Sequence, residues 1–158
     1  MFSKFNEESQ KILLGAKKEM KQLKNPYVGS EHLLLAILDN KELDLTKKLN
    51  SYNLTYKNFR DEIVKVIGTS KESNDWYLYT PLLKRILESA ILDCKENKDD
   101  SVTVEHLFLA LLEEGEGVAI RILMGMNVDI DALYDEFSND FNTKTTNKKK
   151  VNNRRICC

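Results

Sequence analysis

Cysteine is scarce, and its placement excludes more than its number does. The chain has three cysteines in 158 residues, Cys94 in mid-chain and Cys157 with Cys158 at the end. That set makes neither a disulfide framework nor a zinc-ligand quartet, and it suits a reducing compartment. Proline is rarer still, only Pro26 and Pro81, so long helices can run without internal breaks. None of the six glycines precedes a lysine, which removes the phosphate-cradling G-x-x-x-x-G-K-[ST] loop; no dinucleotide fingerprint occurs either. The longest apolar run, Leu33 to Leu38, is far short of the roughly 20 residues a bilayer span needs. Residues 1–20 carry Glu7, Glu8 and Lys17 where a signal peptide needs an apolar stretch, so no export is expected. With 24 basic and 25 acidic residues the net charge is -1, and no bulk field draws in nucleic acid or an anionic membrane. Partners must be recognised locally.

What the chain does have, it has twice. Glu31-His32-Leu33-Leu34-Leu35-Ala36-Ile37-Leu38-Asp39 returns as Glu105-His106-Leu107-Phe108-Leu109-Ala110-Leu111-Leu112-Glu113, an offset of 74 (105 minus 31). The same register matches Phe5 with Tyr79, Ile12 with Ile86, Leu13 with Leu87, Ala16 with Ala90, Leu49 with Leu123 and Asn53 with Asn127. A fixed period implies a duplicated supersecondary unit whose copies bury their apolar faces on one another. Any surface feature held by both copies should then occur as a pseudo-symmetric pair.

The periodicity predicts an all-α fold of four helices per copy. Ile12, Leu13, Ala16, Met20 and Leu23 place a first helix over about 6–23, with Asn6 capping and Glu7 in its first turn. Asn25-Pro26 breaks it, and Gly29 or Ser30 opens a second helix, apolar nearly all round and therefore central. Helices over about 42–50 and 55–67, stopped by Gly68, complete the first repeat, about 1–68. Thr80-Pro81 is a cap followed by proline at the first helical position; Thr103 or Val104 opens the second buried helix, Gly115-Glu116-Gly117 turns the chain into a helix over about 117–125, and Asp129 opens the last, reaching about 138. The second repeat is thus about 79–138. Residues 69–78 form the linker, with Lys71 to Asn74 exposed and Trp76, Tyr77 and Tyr79 folding back on the domain. From Asn139 the sequence is polar and basic and predicts a disordered tail or linker, 139–158.

Phe2-x-x-Phe5, Gly29-Ser30-Glu31-His32, Tyr79-Thr80-Pro81, Glu105-His106 and Glu114-Gly115-Glu116-Gly117-Val118-Ala119 together resemble the Clp N-terminal domain, most closely the ClpC type, over residues 1–138. The resemblance implies a non-catalytic domain, without cofactor or metal, that captures substrate and adaptor proteins for an ATP-dependent unfoldase and its protease, in the cytoplasm or the stroma-like interior of a bacterium-derived organelle. It also implies recognition of phosphoarginine marks, with Glu31 and Glu105 pairing with the guanidinium while helix starts and the polar side chains of Ser30, Thr103, Asn6 and Thr80 hold the phosphate. A carboxylate gives bidentate hydrogen bonds to a guanidinium and helix-start N–H groups favour phosphate, so the chemistry is coherent. The bland alternative is dipole compensation, worth roughly 0.3–1 kcal/mol for a first-turn glutamate. The family pattern is Gly-Thr-Glu-His in both copies; Ser30 keeps a hydroxyl where Val104 does not, so the two pockets should be unequal. Phe2, Tyr79, Lys84 and Glu88 match the family's adaptor and peptide surface, although Phe2 and Tyr79 would also serve as helix-start staples.

His32 and His106 are read as hydrogen-bonded packing residues, because adjacent Glu-His positions on a helix point in different directions and lack the i, i+4 spacing of a helical zinc site. Arg154-Arg155-Ile156-Cys157-Cys158 has the look of a doubly prenylated end, the one feature that would bring a membrane into play. Without a Walker loop the chain cannot itself be the motor; it reads as a module of a larger unfoldase or as a stand-alone regulator that binds the unfoldase or competes for its clients.

Overall fold

The computed structural model describes residues 4–71 and 77–141. Eight helices occupy them: α1 (Glu7–Gln22), α2 (Ser30–Asp39), α3 (Asp44–Ser51), α4 (Tyr56–Ile67), α5 (Pro81–Glu96), α6 (Val104–Glu114), α7 (Val118–Gly125) and α8 (Ile130–Phe141). Every helix of the second copy starts 74 residues after its counterpart, as 81 minus 7, 104 minus 30, 118 minus 44 and 130 minus 56 each give. The turns repeat as faithfully. Lys24 and Lys98 both adopt positive φ (56° and 59°), as do Asn53 and Asn127 (66° and 65°), the left-handed conformation that ends a helix and reverses the chain.

Local chemistry explains the boundaries. Asn6 Oδ1 accepts from the Ser9 N–H (2.8 Å) and Thr80 Oγ1 from the Leu83 N–H (3.1 Å), satisfying orphan donors at the starts of α1 and α5. Thr55 and Asn58 form a reciprocal capping box at α4, and Asp129 accepts from the Ala132 N–H to open α8. Gly68 (φ 73°) and Gly115 (φ 70°) stop α4 and α6 in a region where a side chain would be strained. The last helix runs to Phe141 rather than to about 138. Lys48 of α3 binds Glu136 and Asp140, which gives the final turn a partner that the polar composition of that stretch does not reveal.

In α2, Leu33 to Leu38 are all buried, as are Leu107 to Leu112 in α6, so these two helices form the centre around which the others pack. Each fully buried leucine contributes roughly 1.5–3 kcal/mol of transfer free energy. α1 lies on α2 and α5 on α6, while α1–α6, α2–α6, α2–α7 and α4–α7 contacts join the copies. Two isolated parallel bridges, Phe5 with Val102 and Val28 with Tyr79, lock the junction, the segment before α1 pairing with the segment before α6 and the reverse. Asn6 N–H donates to Val102 O (3.0 Å) and Val102 N–H to Lys4 O (2.7 Å); Val28 N–H donates to Leu78 O (2.8 Å) and Thr80 N–H to Val28 O (2.9 Å).

In the linker, Tyr79 is half-buried against the core. Tyr77, expected to fold back on the domain, does so while remaining 45% exposed, lying under Lys17, whose Nζ is 3.5 Å from the ring centroid. A cation over a ring stabilises an exposed aromatic without burying it. Phe2, Trp76, Glu72 to Asn74 and the tail from 142 onward, with its Cys157-Cys158 end, lie outside the described residues.

Candidate functional site

The crossed bridges decide which residues share a site. Thr80 of the second copy is tied to Val28 and so stands beside Gly29-Ser30-Glu31; Asn6 of the first copy is tied to Val102 and stands beside Thr103-Val104-Glu105. The sequence-assigned residues therefore fall into two groups, each drawn from both copies.

In the first group Glu31 does not sit outward at the helix mouth, the position from which a first-turn carboxylate ordinarily compensates the dipole. It is 7% exposed and folds back over Gly29, where a Cβ would overlap its carboxylate. Glycine at 29 is what permits that fold. Burial pushes the Glu31 carboxyl above its ordinary range, opposed in part by a hydrogen bond from its own backbone N–H and by the charge of Arg121. The Ser30 hydroxyl, 2% exposed, accepts from the Ala119 N–H at 3.3 Å, acting across the copy boundary as a cap for α7, whose own N-cap, Gly117, has no side chain to offer. Thr80 Oγ1 accepts from Leu83, which leaves its hydroxyl proton available.

His32, directly after Glu31, is structural. Its Nδ1 accepts from the Gly29 N–H (2.9 Å), which fixes the proton on Nε2, and Nε2–H donates to Asn25 Oδ1 (2.8 Å). Burial holds the imidazole at about 4. The 3.8 Å approach of Glu31 Oε2 to Nδ1 is accordingly no ion pair, since that nitrogen is an acceptor already in use.

The second group repeats the scaffold with different chemistry. His106 Nδ1 accepts from the Thr103 N–H (2.9 Å) and Nε2 meets Asp99 Oδ2 (2.8 Å); Asp99 is the register partner of Asn25 (99 minus 25 is 74). Thr103 Oγ1 accepts from the His106 N–H at 3.3 Å. Val104, the counterpart of Ser30, is 1% exposed and brings no hydroxyl. Glu105 is half-buried and lines a cleft of about 500 Å³ whose other carboxylates are Asp93, Asp99, Asp100 and Asp140. Such a wall suits a cation and repels a phosphate. Among the described residues no group of three His, Cys, Asp or Glu side chains is arranged to hold a metal ion.

Lys84 and Glu88 are exposed one turn apart on α5, beyond half-buried Tyr79. Sequence reasoning missed Arg121, Gly117 and the histidine partners Asn25 and Asp99. The repeat offset was the signal for the last two. Arg121 had only its basic register partner Lys47 (121 minus 74) to mark it.

Comparison with known proteins agrees with this architecture. A sequence model described as Clp repeat (R) N-terminal domain matches residues 4–115 and 78–155. The chain is 37% identical over 134 residues, 84% of its length, to an ATP-dependent Clp protease ATP-binding subunit ClpA homolog of Cyanidium caldarium. It is 32% identical over 130 residues, 82% of its length, to an ATP-dependent Clp protease ATP-binding subunit ClpC of Staphylococcus epidermidis. In both cases it spans 16% of the relative. Its fold matches a ClpV N-domain solved in complex with a VipB peptide, with TM-score 0.64 and 24% identity over 87% of this chain and 86% of that one.

Proposed function

This chain belongs to the Clp repeat N-terminal domain family, and we propose that it is the non-catalytic module through which an ATP-dependent Clp unfoldase takes hold of substrate and adaptor proteins. The domain docks its ligand and leaves hydrolysis to an AAA+ ATPase region. Peptide capture by the ClpV N-domain supports a binding role.

The ligand at the Glu31 helix start is the phosphoarginine side chain of a marked protein. The observation that carries this reading is the buried carboxylate of Glu31. Burying an ionised carboxylate without a matched cation costs several kcal/mol, and a helix-start dipole needs no such burial. An incoming guanidinium supplies the missing counter-charge through a bidentate pair, while the Thr80 hydroxyl presents a donor to the attached phosphate and the dipole at the start of α2 favours its charge. Adaptors dock separately on the α5 face formed by Tyr79, Lys84 and Glu88.

Calorimetric titration with a phosphoarginine peptide, its unmodified twin, and a Glu31→Gln, Glu105→Gln double variant tests this assignment. Tighter binding of the marked peptide, lost in the double variant, is the expected result. Equal affinity for both peptides, or undiminished binding by the double variant, would overturn it.

A further inference from the structure

Resting on that reading, we infer that Arg121 is the residue that recognises the phosphoryl group, and that it does so only at the Glu31 site, so the two pockets differ in what they accept. The geometry starts at Ser30. Its Oγ takes the Ala119 N–H at 3.3 Å and lies 3.2 Å from where a Cβ on Gly117 would stand, so the first turn of α7 sits against the first turn of α2. Arg121 belongs to that turn, its N–H bonded to Gly117 O at 3.0 Å. It is exposed and forms no ion pair among the described residues, yet its charge reaches Glu31. A carboxylate and a guanidinium on adjoining first turns complement a ligand that carries a guanidinium and a phosphate on one side chain.

The second copy cannot repeat this. Val104 stands in place of Ser30 and brings no hydroxyl to hold the α3 start, and the cleft beside Glu105 is lined with carboxylates. There a phosphate meets repulsion, and an unmodified arginine or lysine is the better fit.

Titrating Arg121→Ala and Arg121→Lys with the phosphoarginine peptide and its unmodified twin tests the assignment. Arg121→Ala should weaken the marked peptide by about tenfold or more, the scale of one lost charge-assisted contact, and leave the unmodified peptide unchanged. Arg121→Lys should retain most of the preference. If Arg121→Ala binds the marked peptide like wild type while Glu31→Gln does not, the role of Arg121 is overturned and the Glu31 site stands. If the wild type shows no preference for the marked peptide, the phosphoarginine reading fails and this inference with it. Unchanged thermal unfolding of the exposed-site variants separates lost contact from lost fold.

Discussion

Glu31 and His32 sit next to each other and respond to pH in opposite senses. The folded state holds His32 at about 4 against an ordinary 6.5, so its contribution is fully present above pH 6.5 and lost as pH falls towards 4, up to about 3 kcal/mol. Glu31 is raised above its ordinary 4.5; its neutral form suits the fold, and stability is lost as pH rises from 4.5 through the folded value. Replacing Glu31 with Gln removes that loss. Thermal melts of Glu31→Gln should match wild type near pH 4 and exceed it at pH 7, with a steeper rise between because the His32 slope is no longer opposed. A lower melting temperature at pH 7 would contradict the idea that this carboxylate is kept for binding at a cost in stability. The motif Glu-His was legible in the sequence and the packing role of the histidine followed from helix geometry. That Glu31 folds inward was not legible, since it depends on the missing Cβ of Gly29.

At the level of elements, the helices were readable because caps, proline and left-handed turns punctuate them locally, and α1, α4 and α7 agree with their expected ends to within a residue or so. The joints between helices were not readable, because they rest on contacts between residues far apart in sequence. Ser30 and Ala119 are the clearest example. Ser30→Val, which gives the first copy the residue of the second, leaves the buried Ala119 N–H without its acceptor, and urea unfolding should show a loss of about 1–3 kcal/mol. Gly117→Ala should cost a similar roughly 1–3 kcal/mol, because φ is 103° and a Cβ there meets Leu82. Either variant should also weaken the marked peptide, since Arg121 is carried on the turn that Ser30 fixes. Full stability in Ser30→Val would mean that α7 is held by packing alone.

For the whole molecule, the duplication predicts a pair, and the structure makes the pair inseparable. The copies are not beads on a string. Each lends the strand segment that the other needs, Phe5 to Val102 and Tyr79 to Val28, and the buried flanks of α2 and α6 face one another across the joint. A half-chain would expose that apolar seam and leave the bridging N–H and C=O groups without partners, so its burial falls below what a unit of about 70 residues needs to offset chain entropy. Fragments 1–71 and 77–158 should each show weak helical circular dichroism with no cooperative thermal transition, and an equimolar mixture should regain both. Independent folding of either fragment would place the stability inside the single copy. It would also detach the proposed binding sites from the joint, since each is drawn from a glutamate of one copy and Thr80 or Asn6 of the other, tied there by the crossed backbone bonds. Because the sites lie at that joint, loss of the seam removes recognition together with the fold, and marked-peptide binding should return with the helical signal as the fragments are mixed.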